Sequence, residues 1–215
     1  MSTEDLGHLR KTYQKGNLEP SAIHNDPLSF FKKWFEEAVN HPDIEEANAM
    51  TLTTLGMDDF PRGRVVLLKA VTEKGFVFYT NYKSDKGQAI AHHNKVGLSF
   101  FWPALERQVH IKGEASKITS EQSDAYFASR PKGSQLGAMV SDQSTVITDR
   151  TILETKLESL ELEYETKPIQ RPGFWGGYEV VASSIEFWQG RPNRLHDRVR
   201  CQWIGGFWNL ERLAP

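Results

Sequence analysis

The sequence has little of what several common protein classes require. It contains one cysteine, Cys201, among 215 residues, so it forms no intramolecular disulfide and no Cys-x-x-Cys metal or redox pair. No run approaches the ~18 apolar residues that span a bilayer, since glycine, serine and proline interrupt the richest segment, residues 96–105. The first ten residues carry acids where a secretory signal has its basic start. These absences predict a soluble protein of the reducing cytoplasm.

An excess of positive charge and the best-known catalytic motifs are also missing. Lys and Arg number 26 and Asp and Glu 28, which gives a formal net charge of -2. Such a chain has no global field to attract nucleic acid or an anionic membrane, so any anion site must be local. There is no Gly-x-Gly-x-x-Gly, P-loop, Gly-x-Ser-x-Gly or His-Glu-x-x-His motif. Adjacent histidines such as His92 and His93 do not form a chelating pair on a helix, so no metal site is expected.

What the sequence does contain is enough apolar material for one sizeable core. Hydrophobic residues make up 39% and aromatic residues 11% of the chain, which is too much for a disordered protein. A length of 215 residues favours one domain with appendages over two full domains. We expect an N-terminal arm over residues 1–25, partly flexible, and a single domain over residues 26–215.

Capping signals predict four helices, which begin at Asp26, Ser84, Thr119 and Asp149. In the first, Pro27 follows the cap, and the apolar face is predicted to consist of Leu28, Phe31, Phe35 and Ala38. The third opens with the capping box Thr119-x-x-Gln122 and is expected to end near Pro131.

Strand signals occur before and after the two later helices. They predict strands over residues 50–55, 64–69, 76–81, 96–102, 108–118, 174–182, 185–188, 195–203 and 207–210. The connections in the first half are too short for parallel crossovers, which favours an antiparallel meander there. Strands at both ends of the chain predict one closed sheet or barrel that the C-terminal strands complete.

One candidate site lies in the basic segment near the C-terminus. If residues 194–200 are extended, Arg194, His196, Arg198 and Arg200 project from one face. A solvated basic strip is the ordinary interpretation of such a pattern. The alternative is a site for a planar anion, because Trp188 lies just across the preceding turn and guanidinium groups suit such ligands beside aromatic rings.

A second candidate site follows Thr119. Tyr126 and Arg130 are four residues apart and share a helix face, and Ser134 follows four residues later, which is a pattern that can bind phosphate. The alternative is ordinary surface stacking of Tyr on Arg. Arg64 and Lys69 bracket an apolar strand, either as further anion ligands or as strand ends that reach for water.

Several segments together resemble a known family. Residues 186–189, Glu-Phe-Trp-Gln, and residues 194–198, Arg-Leu-His-Asp-Arg, are similar to the signature of the pyridoxine/pyridoxamine 5′-phosphate oxidases. Supporting matches occur in the same order at residues 64–69, 78–81, 105–109, 129–131, 143–144, 174–177 and 212–215. The resemblance implies an α+β fold built on an antiparallel FMN-binding split β-barrel. It also implies an FMN-dependent oxidase that forms pyridoxal 5′-phosphate.

The resemblance assigns roles to residues of this chain. It implies that FMN is bound by Arg64, Val65, Val66, Leu67, Leu68, Lys69, Tyr79, Thr80, Lys86, Gln108, Gln143, Ser144, Trp188 and Arg198. It implies that the substrate is bound by Arg10, Tyr13, Lys69, Tyr126, Arg130, Ser134, Arg194 and His196, with Arg194 and His196 as the catalytic pair at the pyridine ring. The implied partners are pyridoxine 5′-phosphate, pyridoxamine 5′-phosphate, O₂ and a second copy of the chain, with FMN in the homodimer interface.

The chain departs from the family pattern at two positions. Asp85 stands before Lys86 where the family often has arginine, and a carboxylate near the FMN phosphate is unfavourable unless it points away. Ala47 replaces a common proline, which alters loop stiffness. Two other functions stay open: a non-catalytic split-barrel protein that binds flavin, haem or pyridoxal phosphate, and a different FMN oxidoreductase on the same barrel.

Overall fold

A computed structural model describes residues 8–24 and 26–215 of the chain. Residues 1–7 and 25 of the predicted N-terminal arm lie outside the described residues. The helices are α1 (Pro27–Val39), α2 (Asp85–His92), α3 (Ser120–Ser129), α4 (Lys132–Val140) and α5 (Thr151–Glu163). The strands are β1 (Ala49–Leu55), β2 (Pro61–Leu67), β3 (Ala70–Val71), β4 (Gly75–Asn81), β5 (Lys95–Trp102), β6 (Arg107–Lys117), β7 (Trp175–Gln189), β8 (Asp197–Ile204) and β9 (Phe207–Leu213).

The strands are hydrogen-bonded in the order β2-β1-β5-β6-β7-β4-β3, while β8 pairs with β7 and β9 pairs with β8. The register of β1 on β2 runs antiparallel from Ala49 opposite Leu67 to Leu55 opposite Pro61. Antiparallel pairing also joins β4 to β7, β7 to β8 and β8 to β9. The predicted meander is therefore only partly correct: β1 and β2, β3 and β4, and β5 and β6 are neighbours, but β4 pairs with β7 from the far end of the chain. Short loops fix antiparallel direction, but they do not decide which strands become neighbours.

The chain divides into two compact units, each of which is described by itself. The first unit comprises residues 1–48, 99–111 and 183–215, and the second comprises residues 49–98 and 112–182. In the first unit, the rings of Phe30 and Trp34 pack edge-on against Phe187, with centroids 4.9 and 5.4 Å away. In the second unit, Phe78 stacks on Tyr178 at 5.7 Å. Each unit thus has its own aromatic core.

Three of the four predicted capping signals are confirmed. The fourth is wrong by one residue, because the N-cap of α5 is Arg150, while the Asp149 side chain accepts a hydrogen bond from the Thr151 N–H at 2.7 Å. The Asp26 side chain accepts a hydrogen bond from the Ser29 backbone N–H at the start of α1, and Ser84 accepts one from Gly87 at the start of α2. The capping box of Thr119 and Gln122 is formed in both directions. Capping signals predict helix starts well because both partners of each hydrogen bond lie within four residues of each other.

The predicted apolar face of α1 is partly wrong. The helix buries Pro27, Phe30, Phe31, Trp34 and Ala38, whereas Leu28 and Phe35 are half-buried at the edge of this stripe. Residues 30, 34 and 38 repeat every four positions and lie on one face of the helix. The buried stripe therefore runs through Phe30 and Trp34, which are not part of the predicted set.

Two element boundaries also differ from the expectation. Residues 175–189 form one strand and not two, because Val181 still pairs with Gly75 and Ser184 already pairs with Gln202. Helix α4 is not predicted, because the sequence signals place the end of the preceding helix near Pro131. In the structure Pro131 caps α4, and its carbonyl accepts from Ser134 and Gln135, which is a role that proline at a helix start permits.

Candidate functional site

The second unit contains a cavity of about 650 Å³ into which many predicted site residues project. Its lining includes eleven of them: Val65, Val66, Leu67, Lys69, Tyr79, Thr80, Lys86, Tyr126, Arg130, Ser134 and Gln143. Strand β2, strand β4 and the α3–α4 junction supply most of this lining. The two sequence patterns, around Lys69 and around Arg130, thus lie in one cavity, which we call the second-unit cavity.

Arg130 is the most telling residue of this cavity. It ends α3 as its C-cap, and its guanidinium carbon lies 4.6 Å from the ring centroid of Trp175. Its Nη1 is buried and has no hydrogen-bond partner within the described residues. Burial lowers the pKa of Arg130. Because buried donors are almost always paired, an unpaired guanidinium N–H inside a cavity marks a place for an anionic ligand.

Three stacked rings form an aromatic wall beside Arg130. Tyr79 lies 3.8 Å from Tyr126 at 17°, and Trp175 lies 5.5 Å from Tyr79 at 14°. Burial raises the pKa of Tyr79, and Tyr126 and Tyr82 raise it further. Its hydroxyl group therefore stays protonated near neutral pH and can donate a hydrogen bond.

Lys86 enters the second-unit cavity from the first turn of α2. Its Nζ lies 3.0 Å from Oε1 of Gln143 and 3.4 Å from Oγ of Ser84. Burial lowers its pKa, Arg64 lowers it further, and Asp85 acts in the opposite direction. A half-buried ammonium at a helix N-terminus provides the charge and the oriented N–H groups that bind phosphate.

Arg64 lines a neighbouring cavity of about 220 Å³ in the same unit. Its Nη1 donates to Oγ1 of Thr54 at 2.7 Å and to the carbonyl of Leu52 at 3.3 Å. Burial lowers the pKa of Arg64, as does Arg62, whereas Asp85 raises it. Arg64 is therefore held in place by β1 before any ligand binds.

Asp85 lies in this smaller cavity as well. Its Oδ2 lies 3.8 Å from Nη1 of Arg62, and its backbone N–H donates to Oγ of Ser144 at 3.2 Å. The carboxylate thus has a cationic neighbour and is not part of the lining of the second-unit cavity. Asp85 still acts on the pKa of Arg64 and Lys86, which it raises against the effect of burial.

The first unit contains a cavity of about 620 Å³, the first-unit cavity, lined by predicted residues Arg10, Tyr13, Trp188, Arg194 and His196. Tyr13 lies edge-on to Trp188 at 5.6 Å, and the Trp188 and His196 rings are 4.6 Å apart. The rings form a compact aromatic wall, and Arg10 and Arg194 give the cavity a positive charge.

His196 is held in one orientation. Its Nδ1 accepts a hydrogen bond from the backbone N–H of Arg191 at 3.1 Å. Burial lowers the pKa of His196, and the charge of Arg194 lowers it further. The neutral ring therefore carries its hydrogen on Nε2, which makes it a hydrogen-bond donor.

The predicted common face of Arg194, His196, Arg198 and Arg200 is wrong. Strand β8 begins only at Asp197, and Arg194 lies in the short 3-10 turn Pro192–Arg194 with φ of 63°. Within β8, Arg198 and Arg200 pair with Glu186 and Glu211, at 2.8 and 2.6 Å. Alternation requires extended backbone at every residue, and the left-handed turn breaks it.

The other predicted residues lie outside the three cavities. Leu68 is buried with 4% exposure. Gln108 lies on β6 in the first unit, with its Nε2 2.6 Å from Nε2 of His110. Hydrogen bonding to Glu186 raises the pKa of Arg198. Ser144 has φ of 76° and bonds to Asp85 as described.

Six residues of the second-unit cavity are not among the predicted site residues, namely Asn81, Pro131, Gly137, Ala138, Ser141 and Trp175. Gly137 and Ala138 belong to α4, the helix that was not predicted. Trp175 belongs to the matched segment at residues 174–177, which was used as evidence of resemblance without a role. Asn81 likewise belongs to the matched segment at residues 78–81, and the small side chains of Gly137 and Ala138 carry no chemical signal by themselves.

Among residues 8–24 and 26–215, no three or more His, Cys, Asp or Glu side chains are grouped so that they could bind a metal ion. In the same part of the chain, no helix combines the length and apolar character needed to cross a membrane.

Comparisons with known proteins agree with the resemblance. Residues 35–164 match the family model described as pyridoxamine 5′-phosphate oxidase, and residues 175–215 match the pyridoxine 5′-phosphate oxidase C-terminal dimerisation region. A pyridoxine/pyridoxamine 5′-phosphate oxidase of Flavobacterium psychrophilum is 55% identical over 213 residues, which cover 99% of this chain and 100% of that protein.

Two solved structures share the fold. PhzG of Burkholderia lata, crystallised with tetrahydrophenazine-1-carboxylic acid, has a TM-score of 0.88 and 24% identity, over 95% of this chain and 100% of that chain. A pyridoxamine 5′-phosphate oxidase-related, FMN-binding protein of Nostoc punctiforme has a TM-score of 0.68 and 14% identity, over 86% and 97% of the two chains. The predicted α+β split barrel is confirmed.

Proposed function

Because the chain belongs to the pyridoxamine 5′-phosphate oxidase family, we propose that it oxidises pyridoxine 5′-phosphate and pyridoxamine 5′-phosphate to pyridoxal 5′-phosphate with FMN as cofactor. The alcohol and O₂ give the aldehyde and H₂O₂, whereas the amine, O₂ and water give the aldehyde, H₂O₂ and ammonia. Bound FMN supplies the two-electron redox chemistry, which no side chain of this protein offers. The protein must bind two phosphates and align two rings.

The observation that carries this proposal is the unpaired Nη1 of Arg130 in the second-unit cavity. We assign the substrate phosphate to Arg130, Lys69, Tyr126 and Ser134, which line that cavity together. The set combines two cations with two hydroxyl groups, and such donors suit a phosphate dianion. A cavity of about 650 Å³ is also within the usual range for cofactor and ligand sites.

The remaining predicted residues of the second-unit cavity are assigned to FMN. They are Val65, Val66, Leu67, Tyr79, Thr80, Lys86 and Gln143. Arg64, which lines the smaller cavity, and Ser144, which accepts a hydrogen bond from the Asp85 N–H, are also assigned to FMN. The donor set fits the group. Burial lowers the pKa of Lys86 and the charge of Arg64 lowers it further, and a bound phosphate would oppose both effects.

Replacement of Lys86 by Met is expected to raise the Kd for FMN about ten-fold, the effect of one lost charged hydrogen bond. Quenching of flavin fluorescence on titration into the apoprotein measures this Kd. Lys83→Met is the matched control, because Lys83 is exposed and lies over Phe174 outside the cavity. An equal Kd in the two variants would remove Lys86 from the FMN site.

We assign the reacting end of the substrate to the first-unit residues Arg194 and His196, with Arg10 and Tyr13 contributing from the N-terminal segment. The neutral His196 offers an Nε2 donor that can orient a pyridine substituent. Arg194 presents an exposed guanidinium beside the ring wall, where it can cover the reacting carbon. Trp188, Gln108 and Arg198 remain proposed FMN residues of the first unit.

We propose that two copies of the chain assemble with FMN at their interface. The support is the match of residues 175–215 to the family's dimerisation region. A site shared between copies also explains why one small chain distributes its ligand-binding residues over two cavities, each with its own lining.

The test is aerobic turnover by the purified FMN-loaded protein. Pyridoxine 5′-phosphate should be converted to pyridoxal 5′-phosphate, detected by its absorbance, with one H₂O₂ formed per aldehyde. The competing function is a non-catalytic flavin or pyridoxal phosphate carrier. Tight ligand binding without aldehyde or H₂O₂ would favour that carrier.

The activity should fall on the acid side as His196 becomes protonated. The pKa of His196 lies below its ordinary value of 6.5, so kcat/KM should be flat above pH 6.5 and decrease only below it. Protonation places a hydrogen on Nδ1 and removes the acceptor for the Arg191 N–H. In His196→Asn this decrease at low pH should vanish, whereas His41→Asn, a change at a half-buried histidine outside the first-unit cavity, should retain it. If kcat/KM still decreases at low pH in His196→Asn, the decrease comes from the protonation of another group.

A further inference from the structure

Glu106 combines two unfavourable features at one position. It lies between β5 and β6 with 2% exposure, and its φ is 56°, in the left-handed region. A buried carboxylate needs compensating partners, and a non-glycine residue in this region is strained. A turn by itself is formed more easily by glycine or asparagine. The glutamate side chain therefore has a task beyond forming the turn.

The partners of the carboxylate are backbone groups of the N-terminal segment. Its Oε2 accepts hydrogen bonds from the N–H groups of Gln14 at 2.7 Å and Lys15 at 2.9 Å. Its Oε1 lies 3.5 Å from Nζ of Lys11. Burial alone would raise the pKa of Glu106, but the N–H groups of Lys15 and Gln14 outweigh it and hold the pKa below its ordinary value. The carboxylate therefore stays ionised and binds residues 11–15 through Lys11, Gln14 and Lys15.

Tyr13 lies within the segment of residues 11–15 that Glu106 binds. Its ring contacts Trp188 and His196 at 5.6 and 5.7 Å, and it lies close against the backbone of Gly190. A Cβ on Gly190 would be 2.7 Å from Cγ of Tyr13. The Gly190 N–H in turn donates to the Glu106 carbonyl at 2.7 Å. Glu106 therefore fixes both sides of this contact, the segment and the turn on which it packs.

We propose that Glu106 is a positioning residue that holds residues 11–15 closed over the first-unit cavity before substrate binds. The consequence for substrate rests on the proposed function, because only there does Tyr13 contact a ligand. Other bonds anchor the chain just beyond the segment: Gly16 accepts from Nη1 of Arg191 at 2.7 Å, and the Leu18 N–H donates to Asp197 at 3.0 Å. Loss of the carboxylate should therefore release residues 11–15 and leave residue 18 in place.

The direct test is hydrogen exchange of the Gln14 and Lys15 amides in the full-length FMN-loaded protein. In Glu106→Gly, which removes the carboxylate and relieves the backbone, both amides should exchange at least about ten-fold faster. In Glu106→Gln, which keeps one acceptor oxygen, the increase should be smaller. The Leu18 amide should be unchanged in both variants.

The matched control is Asp59→Gly. Asp59 is another acid with left-handed backbone, φ of 62°, at the exposed β1–β2 turn, so it reproduces the strain relief without touching the segment. Exchange of the Gln14 and Lys15 amides should stay at the wild-type rate in this variant. Wild-type rates in both Glu106 variants would overturn the proposal. Glu106→Gln keeps side-chain size and one acceptor, so where Glu106→Gly does not fold, wild-type exchange in Glu106→Gln alone would overturn the proposal.

The second readout is the split between KM and kcat. Release of Tyr13 should raise KM for pyridoxine 5′-phosphate about ten-fold in Glu106→Gly, with kcat within about two-fold. A merely structural role would lower the amount of active enzyme and leave KM unchanged. Faster exchange with unchanged KM would overturn the role in substrate binding. If the wild-type protein forms no aldehyde, the proposed function fails, and amide exchange still decides whether Glu106 holds the segment.

Discussion

Replacement of Arg130 by Met is expected to raise KM for pyridoxine 5′-phosphate about 100-fold while leaving the free energy of unfolding undiminished. The guanidinium is proposed to make charged hydrogen bonds to the substrate phosphate, and the loss of such a partner costs ~2–4 kcal/mol of binding. In the free protein, however, its Nη1 is buried without a partner. Methionine removes that unsatisfied donor, so binding and stability should respond in opposite directions.

The contrasting control is Arg107→Met in the first unit. Arg107 is also largely buried, but it pairs with Glu37, donates to Gln189 and lies 4.5 Å from the ring centroid of Trp34. Its removal should lower the free energy of unfolding by about 2 kcal/mol, since partners are left unsatisfied. Urea denaturation and steady-state kinetics on both variants separate the two roles. An Arg130→Met protein that is destabilised but binds substrate normally would make Arg130 a structural residue.

Replacement of Arg194 by Gln is expected to reduce kcat by about 10²–10³, the loss produced when one group that stabilises the transition state is removed. The Kd for FMN should change less than about two-fold, because Arg194 is proposed to act on the reacting carbon and not on the cofactor. Stopped-flow measurement of flavin reduction and fluorescence titration give the two quantities. Equal losses in reduction rate and in FMN affinity would contradict this assignment.

Two further variants sharpen the Arg194 experiment. Arg194→Lys keeps the charge but lacks the planar group, so activity between the wild-type and Gln levels would assign the planar geometry a share of the effect. Arg200→Gln changes a nearby arginine of β8 that is paired with Glu211 of β9. It should keep kcat near the wild-type value, which controls for a general loss of positive charge in this segment.

What the sequence could predict was decided by how local each signal is. Asp26, Ser84 and Thr119 cap their helices through partners three residues away, so these starts are correct. The pairing of β4 with β7 joins residues about one hundred positions apart, and no local pattern determines it. Pro131 illustrates the intermediate case, because proline is equally suited to follow one helix and to begin the next.

The site shows the same division. Spacing of four residues brought Tyr126 and Arg130 to one face, and the structure places both in the second-unit cavity with Lys69. Alternation failed for Arg194, because left-handed backbone at Asn193 and Arg194 ends the extended pattern. Glu106 was present in a matched segment, but its task depends on Gln14 and Lys15. Ninety residues of intervening chain hide that bond from any pattern search.

The alkylation rate of Cys201 can report on the opening of β8. Cys201 is fully buried opposite Ile185, and burial raises its pKa to about 12. A thiol of that kind has almost no thiolate at neutral pH and no access for a reagent. Alkylation can therefore proceed only after the β7–β8 pairing opens, and its rate measures that opening when the reagent reacts faster than the strands close again. Labelling in the presence and absence of ligands would show how far they restrain the strand that follows Arg194 and His196.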